Sequence, residues 1–577
     1  MHRSSARVTL VAACLSLLAA CARQSEDSPQ ASAPPATPAQ PMRVVPTAES
    51  RYTPAITAED FASRLQKLAS DEFEGRKPGT LGERLTTAWI KDQFQRAGLV
   101  PGNGQQWAQT VPMVETVLLD PHEVALVVDT PAGQERFAYG KDLIVGALDA
   151  SASVAIEASD IVFAGYGIDA PELGWNDYAG LDVKGKTVVV LINDPGFLTN
   201  DASLFKGRAM TYYGRWTYKF EEAARKGAAA AFIVHDTPGA SYGWDVVKNS
   251  WSGAQYDLPA KDDPERRIPV QGWLTAEAAK QLFADAGLDL DASYKAANQR
   301  GFKPVTLKTK ASIDLKSTIS EKNSRNVVGV LPGTDRKDEA VLYMAHWDHL
   351  GKHEGETGDN IYNGAIDNAT GVAGILEVAE AFAHQDPKPQ RSVVFLAVTL
   401  EESGLLGSKY YVAHPTFPLA KIAGVINIDA MSVAGKARDL TVTGFGSSEL
   451  EDILKPIAAA QGRTLHGETS VQSGFYFRSD HFNFAKAGVP ALYADGGEDL
   501  VEGGSEAGKA AAEDYGKNRY HKPADQYDPA TWKLDGTIDD LNALYGVGKE
   551  LAGGDKWPNW YSGNPFKAAR DRMMQAN

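Results

Sequence analysis

Three short aliphatic runs each end on residues able to bind a metal or move a proton. Val341–Ala345 runs into His346-Trp347-Asp348, Ser392–Leu400 into Glu401-Glu402, and Gly424–Ile428 into Asp429. Ligands of open α/β sheets bind beyond the carboxyl ends of strands, so three strands deliver metal-capable side chains to one edge. Asp348, two residues after His346, is placed to orient a neighbouring ligand from behind. His521 lies in Tyr520-His521-Lys522-Pro523-Ala524-Asp525, a loop with no other reason to hold an imidazole. Of the 11 histidines, eight fall between His346 and His521. Among these His349, His353, His384, His414, His466 and His481 read as surface or hydrogen-bonding residues. Cys14 and Cys21 are the only cysteines, so a metal in the body of the chain must sit on His, Asp and Glu.

Positioning that edge requires a sheet. The runs, with Val489–Tyr493, are short, aliphatic and separated by helical stretches, which predicts an α/β fold whose central sheet carries helices on both faces. The helix after Asp367 sets Val372, Ile375, Leu376, Ala379 and Phe382 on one face. From Pro54 to Pro112 the rhythm is helical, with Phe61, Leu65 and Leu68 and then Trp89, Ile90 and Phe94, broken at Gly75–Gly79. Between about 150 and 310 it changes to short strands and glycine turns: Ile161–Gly167, Thr187–Ile192 and Ala228–Val234, with a helix from Tyr218 to Lys226.

The 577 residues suffice for two or more cores, and a net charge of -16 without any basic run argues against nucleic-acid binding. No apolar stretch reaches the roughly 18 residues needed to cross a bilayer, which excludes a polytopic membrane protein. Arg3 and Arg7 precede the apolar Val8–Leu18, a secretory-signal pattern. Leu18-Ala19-Ala20-Cys21 resembles the lipobox of bacterial lipoproteins, which implies lipidation of Cys21; the alternative is an ordinary signal cleaved near Ala20. Residues 22–53 hold six prolines between Pro29 and Pro46 and read as a tether. Ala22 after the cysteine implies the outer membrane, facing the periplasm or the exterior.

The ordered motifs HWDHLG, GAIDNATGVAG, LEESGLLGS, NIDAM, RSDHFNFAKAGVPAL and YHKPADQYD resemble the co-catalytic dizinc exopeptidases, which include bacterial aminopeptidases, aminopeptidase Y and the glutamate carboxypeptidases. The GYG turn, the KGKTVVVL strand and the AARKGAAAAFIV unit look like a protease-associated domain. The resemblance implies a signal at 1–21, the tether at 22–53, a catalytic domain at 54–150 and 311–560 interrupted by a β-rich insert at 151–310, and a tail at 561–577. It implies two zinc ions, one on His346 and Asp429, one on Glu402 and His521, with Asp367 bridging. Glu401 is left as general base. Asn368 follows the bridging aspartate, where the family often has a cis peptide, and Tyr476 is matched to a tyrosine that donates to the oxyanion; the alternative is a packed aromatic between Phe475 and Phe477. In the insert, Tyr213, Arg215 and Trp216 are candidates for a substrate-covering lid; the alternative is that these aromatics pack the insert's own core. The activity implied is aminopeptidase action on peptides. Arg478, the one arginine inside a site motif, keeps a carboxypeptidase open, and glutaminyl cyclisation and a receptor-like binding protein without activity also remain. A serine hydrolase is disfavoured by the absence of G-x-S-x-G.

Overall fold

The computed structural model describes residues 52–575 apart from 148–149, 264 and 354–356, and the chain from Tyr52 onward is one compact unit. The signal, the tether and Cys21 lie outside the described residues.

Strand Arg336–His346 shows how the sequence builds the centre. Val341, Tyr343 and Ala345 enter one hydrophobic cluster, and Ala340, Leu342 and Met344 enter the cluster on the opposite face. A strand buried on both faces must be apolar throughout, which is why the run is continuous. It pairs in parallel with Arg391–Val398 on one side and Ile422–Asn427 on the other, and Ile422–Asn427 pairs in parallel with Ala491–Gly496. Antiparallel strands complete the mixed sheet, with Val305–Leu331 beside Arg391–Val398 and Asp439–Val442 beside Ala491–Gly496. Helices Ala58–Leu68, Thr370–His384 and Leu534–Gly553 cover one face; Leu406–Ala413, His481–Lys486, Trp560 and Phe566 cover the other. The expected α/β architecture is the one observed.

Helix Thr370–His384 departs from its expected single apolar face. It is buried almost all round because Ala58–Leu68 and Leu534–Gly553 form a second layer over it. Gly374 permits the approach: a Cβ there would stand 2.9 Å from Leu541 Cδ2.

A second body is built on parallel strands Thr187–Leu191, Ala230–Val234 and Val270–Leu274, continued by the end of Ser153–Phe163. Its edges differ from the expected 151–310. Leu143–Gly146 pairs with Val270–Leu274, and Ala125–Thr130 pairs with Gly133–Ala138 and with Lys310–Ser312, so residues from about 124 already lie in this body. Leu143–Gly146 is too short, and Gly133–Ala138 too polar, for periodicity to assign them to a sheet. The far edge falls inside a strand: in Val305–Leu331 the first part pairs with Ser153–Phe163, the middle with Ala108–Leu118 and the end with Arg391–Val398. The carboxyl-terminal tail is also part of the fold. Helix Lys567–Gln575 buries Arg570, whose guanidinium donates to the carbonyls of Ile422 at 3.3 Å and Ala423 at 3.4 Å.

Candidate metal centre

The ends of the three central strands and two loops converge. His346 closes its strand; its Nδ1 donates to the Asp348 carbonyl at 3.2 Å, which turns Nε2 towards the site. The Asp348 carboxylate stands 3.9 Å from that ring and instead accepts from the Glu401 amide at 3.2 Å, so it orients the Glu401-Glu402 turn more directly than it orients His346. Burial pushes Asp348 up to about 8. Leu400, Ala430 and His521 have φ of 56°, 54° and 55°. Left-handed conformations at non-glycine residues cost about 1 kcal/mol or more each, and all three lie at or beside candidate ligands.

Asp367 sits in a π-helical turn, Ala365–Ala369, and its peptide bond to Asn368 is cis. The Asp525 carboxylate accepts from the amides of Ile366 at 3.0 Å and Asp367 at 3.1 Å. Asn368 donates to the Ile428 carbonyl at 3.0 Å and accepts from the Ala430 amide at 3.1 Å, tying the turn to the strand end that carries Asp429. Asp429 in turn accepts from Ser479 Oγ at 2.6 Å.

The separations group the donors into two sets that share one carboxylate. His346 Nε2 lies 3.1 Å from Asp367 Oδ1 and 3.1 Å from Asp429 Oδ1. His521 Nε2 lies 3.3 Å from Asp367 Oδ2 and 3.1 Å from Glu402 Oε2. Two ligands on one tetrahedral zinc are roughly 3.3 Å apart. Glu401 offers an oxygen within 4.8 Å of His346 and Asp429. Burial, opposed by His346 and reinforced by the charges of Glu402, Asp429 and Asp480, holds Glu401 well above the ordinary carboxylate range. Burial would also raise Asp367, yet hydrogen bonds from His346 and His521 hold it well below. Four carboxylates, two buried and two half-buried, face the imidazoles of His346, His521 and His349, and a pocket with that surplus of negative charge suits divalent cations.

Other expected residues are placed elsewhere. Among the described residues the buried Tyr476 Oη has no partner, its ring lies against His481 at 4.7 Å, and the carboxylate acting on it is Glu451. Phenols beside the site include Tyr520, stacked 3.9 Å from His521, Tyr493, which donates to the Asp429 carbonyl at 3.0 Å, and Tyr515, whose buried Oη has no partner among the described residues and feels the charges of Asp367 and Asp525. Tyr213 packs among Phe205, Tyr212 and Tyr218 and donates to Glu172; Trp216 packs on Phe220 and Trp251. Both are half-buried and pack against the core of the second body. Arg215 is different: its guanidinium is buried, pushed down to about 10 by desolvation with the neighbouring charge of Arg478 acting the same way. Arg478 lies 5.0 Å over Phe475 and 3.5 Å from Tyr520 Oη.

Three contributors were not singled out from the sequence. Arg76 is fully buried and donates to the carbonyls of Trp347 at 2.9 Å, Leu68 at 3.0 Å, Asn363 at 2.5 Å and Gly364 at 2.8 Å. Asp525 was visible in its motif, four residues after His521. His349, read as a surface or hydrogen-bonding residue, is buried with Nδ1 at 2.6 Å from Glu402 Oε1.

Comparison with known proteins bears on this segment. Residues 326–545 match the model of Peptidase family M28. A probable zinc metalloprotease of Pyrenophora teres f. teres (strain 0-1) is 32% identical over 196 residues, covering 33% of this chain and 37% of its own length. A vacuolar membrane protease of Clavispora lusitaniae is 27% identical over 267 residues, covering 44% of this chain and 23% of its own. The chain thus spans well under half the length of these relatives. Among solved structures, an aminopeptidase from Aneurinibacillus sp. strain AM-1 aligns over 87% of this chain and 95% of its own, with 19% identity and a TM-score of 0.48.

Proposed function

From residues 326–545 as a peptidase family M28 segment, we propose that the protein is a zinc-dependent aminopeptidase that removes amino-terminal residues from peptides. His346 and Asp429 would hold one zinc, Glu402 and His521 the other, and Asp367 both. The observation that carries this is the division of Asp367: each of its oxygens faces a different imidazole at a separation suited to a shared tetrahedral ion. Bound there, the ions would supply an acidified water and positive charge opposite the developing oxyanion. Glu401 has no place in either ligand set. Its raised proton affinity fits a group that takes a proton from the attacking water and returns it to the leaving amine. Tyr476 is the candidate that the resemblance gives for donating to the oxyanion, and Tyr520, stacked on His521, is a second. The same reading takes the second body as a protease-associated insert and Cys21 as a lipid attachment.

A panel of free and amino-blocked peptides, assayed with and without a chelator, tests it. Release only from free amino termini, abolished by chelation and restored by zinc, is expected; cleavage of blocked peptides at equal rates overturns it.

One observation favours a second reading. Arg215 and Arg478 bring two guanidinium groups into mutual electrostatic reach at the site, and among the described residues neither forms an ion pair. A buried guanidinium, Arg215, beside the half-buried Arg478 suits a substrate carboxylate, as a carboxypeptidase requires. Peptides amidated at the carboxyl terminus, added to the same panel, separate the two: an aminopeptidase indifferent to that carboxylate cleaves them unchanged.

A further inference from the structure

We propose that His349 is a positioning residue that divides the Glu402 carboxylate between two tasks: Nδ1–H engages Oε1, and Oε2 alone is left for the metal shared with His521. The inference rests on the dizinc reading above and adds to it a residue outside both ligand sets.

Distances separate this role from direct ligation. Glu402 Oε2 lies 3.1 Å from His521 Nε2, a separation appropriate to two ligands of one ion. His349 Nδ1 lies 2.6 Å from Oε1, which is a hydrogen-bond length and well short of roughly 3.3 Å between ligands on one tetrahedral zinc. His349 therefore acts through Glu402. With one oxygen occupied by a donor, the carboxylate presents a single oxygen to the ion instead of swinging to present both, which limits its freedom to exchange ligand atoms.

The surroundings hold the ring for this purpose. Gly364, at φ 52°, lies so close that a Cβ would stand 2.5 Å from His349 Cγ and Cδ2. His521 packs edge-on, 5.7 Å between ring centres. Among the described residues, the bond to Glu402 is the hydrogen bond that the imidazole makes.

The test measures metal binding by the full chain. Zinc is titrated into apoprotein against a competing chelator for wild type, His349→Leu and His349→Asn. The asparagine amide places a donor near the position of Nδ1, and leucine fills the space without one. Wild type is expected to bind two equivalents. His349→Leu should bind one of them about 10–100-fold more weakly and the other unchanged, with the melting temperature of the apoprotein preserved. His349→Asn should recover most of the lost affinity. Cobalt loaded at the weakened site should show an altered visible spectrum in the leucine variant and a near-native one in the asparagine variant. Wild-type affinity at both equivalents in His349→Leu, or equal weakening in both variants, overturns the proposal. If the leucine variant does not fold, His349→Ser, which also lacks a donor within reach, is read by the same criteria. A wild-type protein that fails to bind two equivalents overturns the dizinc reading itself and removes this proposal with it.

Discussion

Glu401 is surrounded by groups that make its ionised form costly, and that is the property its proposed role needs. Burial and three neighbouring carboxylates raise its proton affinity, while the hydrogen bond that its backbone N–H donates to the Asp348 carboxylate fixes its backbone. Glu401→Gln keeps the shape and removes the base. Turnover should fall about 10²–10⁴-fold with metal content unchanged, read from kcat and zinc analysis on one preparation; loss of zinc instead would exchange the roles of Glu401 and Glu402. His481 gives a pH prediction away from the ligands. Burial between Tyr476 and Tyr493 pushes its imidazole down to about 3, whereas an unfolded histidine titrates near 6.5. Below about 6.5 the unfolded chain takes up a proton that the folded chain refuses. This histidine's contribution is therefore complete above that pH and is lost as pH falls towards 3. His481→Phe removes the effect, so its stability relative to wild type should rise by up to about 1.4 kcal/mol per pH unit below 6.5 in urea unfolding, and stay level above it. Candidate ligands were legible because each ends a strand or anchors a motif. The direction of Tyr476 was not legible, because Phe475–Phe477 is a single 3₁₀ turn and apolar spacing does not encode which way one residue of a turn faces.

Elements, more than single ligands, set the precision of the edge. The 3₁₀ segment Asp71–Arg76, read from the sequence only as a break between helices, sends Arg76 beneath the site to four carbonyls from three separate stretches of chain. A planar fork suits that fan and an ammonium does not. Arg76→Lys should leave at least one buried carbonyl without a donor, lowering stability by about 2–4 kcal/mol in denaturant unfolding and weakening zinc retention together. An unchanged midpoint would mean that water replaces the lost donors. The parallel strands were legible from unbroken aliphatic runs. Strands such as Gly133–Ala138, exposed along most of their length, carry no such signal, and the body they belong to was consequently drawn too short.

At the scale of the molecule, the second body contributes an interior and a buried guanidinium, Arg215, within electrostatic reach of Arg478, and the two are separable. Tyr213→Ala should lower the melting temperature, because its ring is packed within that body. Arg215→Ala should leave the melting temperature nearly unchanged and raise KM for peptides with a free carboxylate near the scissile bond, with amidated peptides unaffected. Equal effects on both peptide classes would reduce Arg215 to a structural cation. For the amino terminus, Cys21→Ser should move the protein from the membrane to the soluble fraction with specific activity unaltered, as fractionation and assay would show; continued membrane retention would remove the lipid anchor.

Strand Val305–Leu331 also has a kinetic meaning. Its middle pairs Ser317–Val327 with Ala108–Leu118, residues some two hundred positions earlier. Closing so distant a pair carries a large loop entropy unless the intervening chain has already condensed. Folding should therefore be ordered, with the second body collapsing first and bringing the two distant strands within reach, and the metal-binding edge forming last. A nascent chain in this order exposes no assembled site until its second body is complete, so a slow phase in the recovery of zinc binding should trail the burial of Trp175 and Trp273.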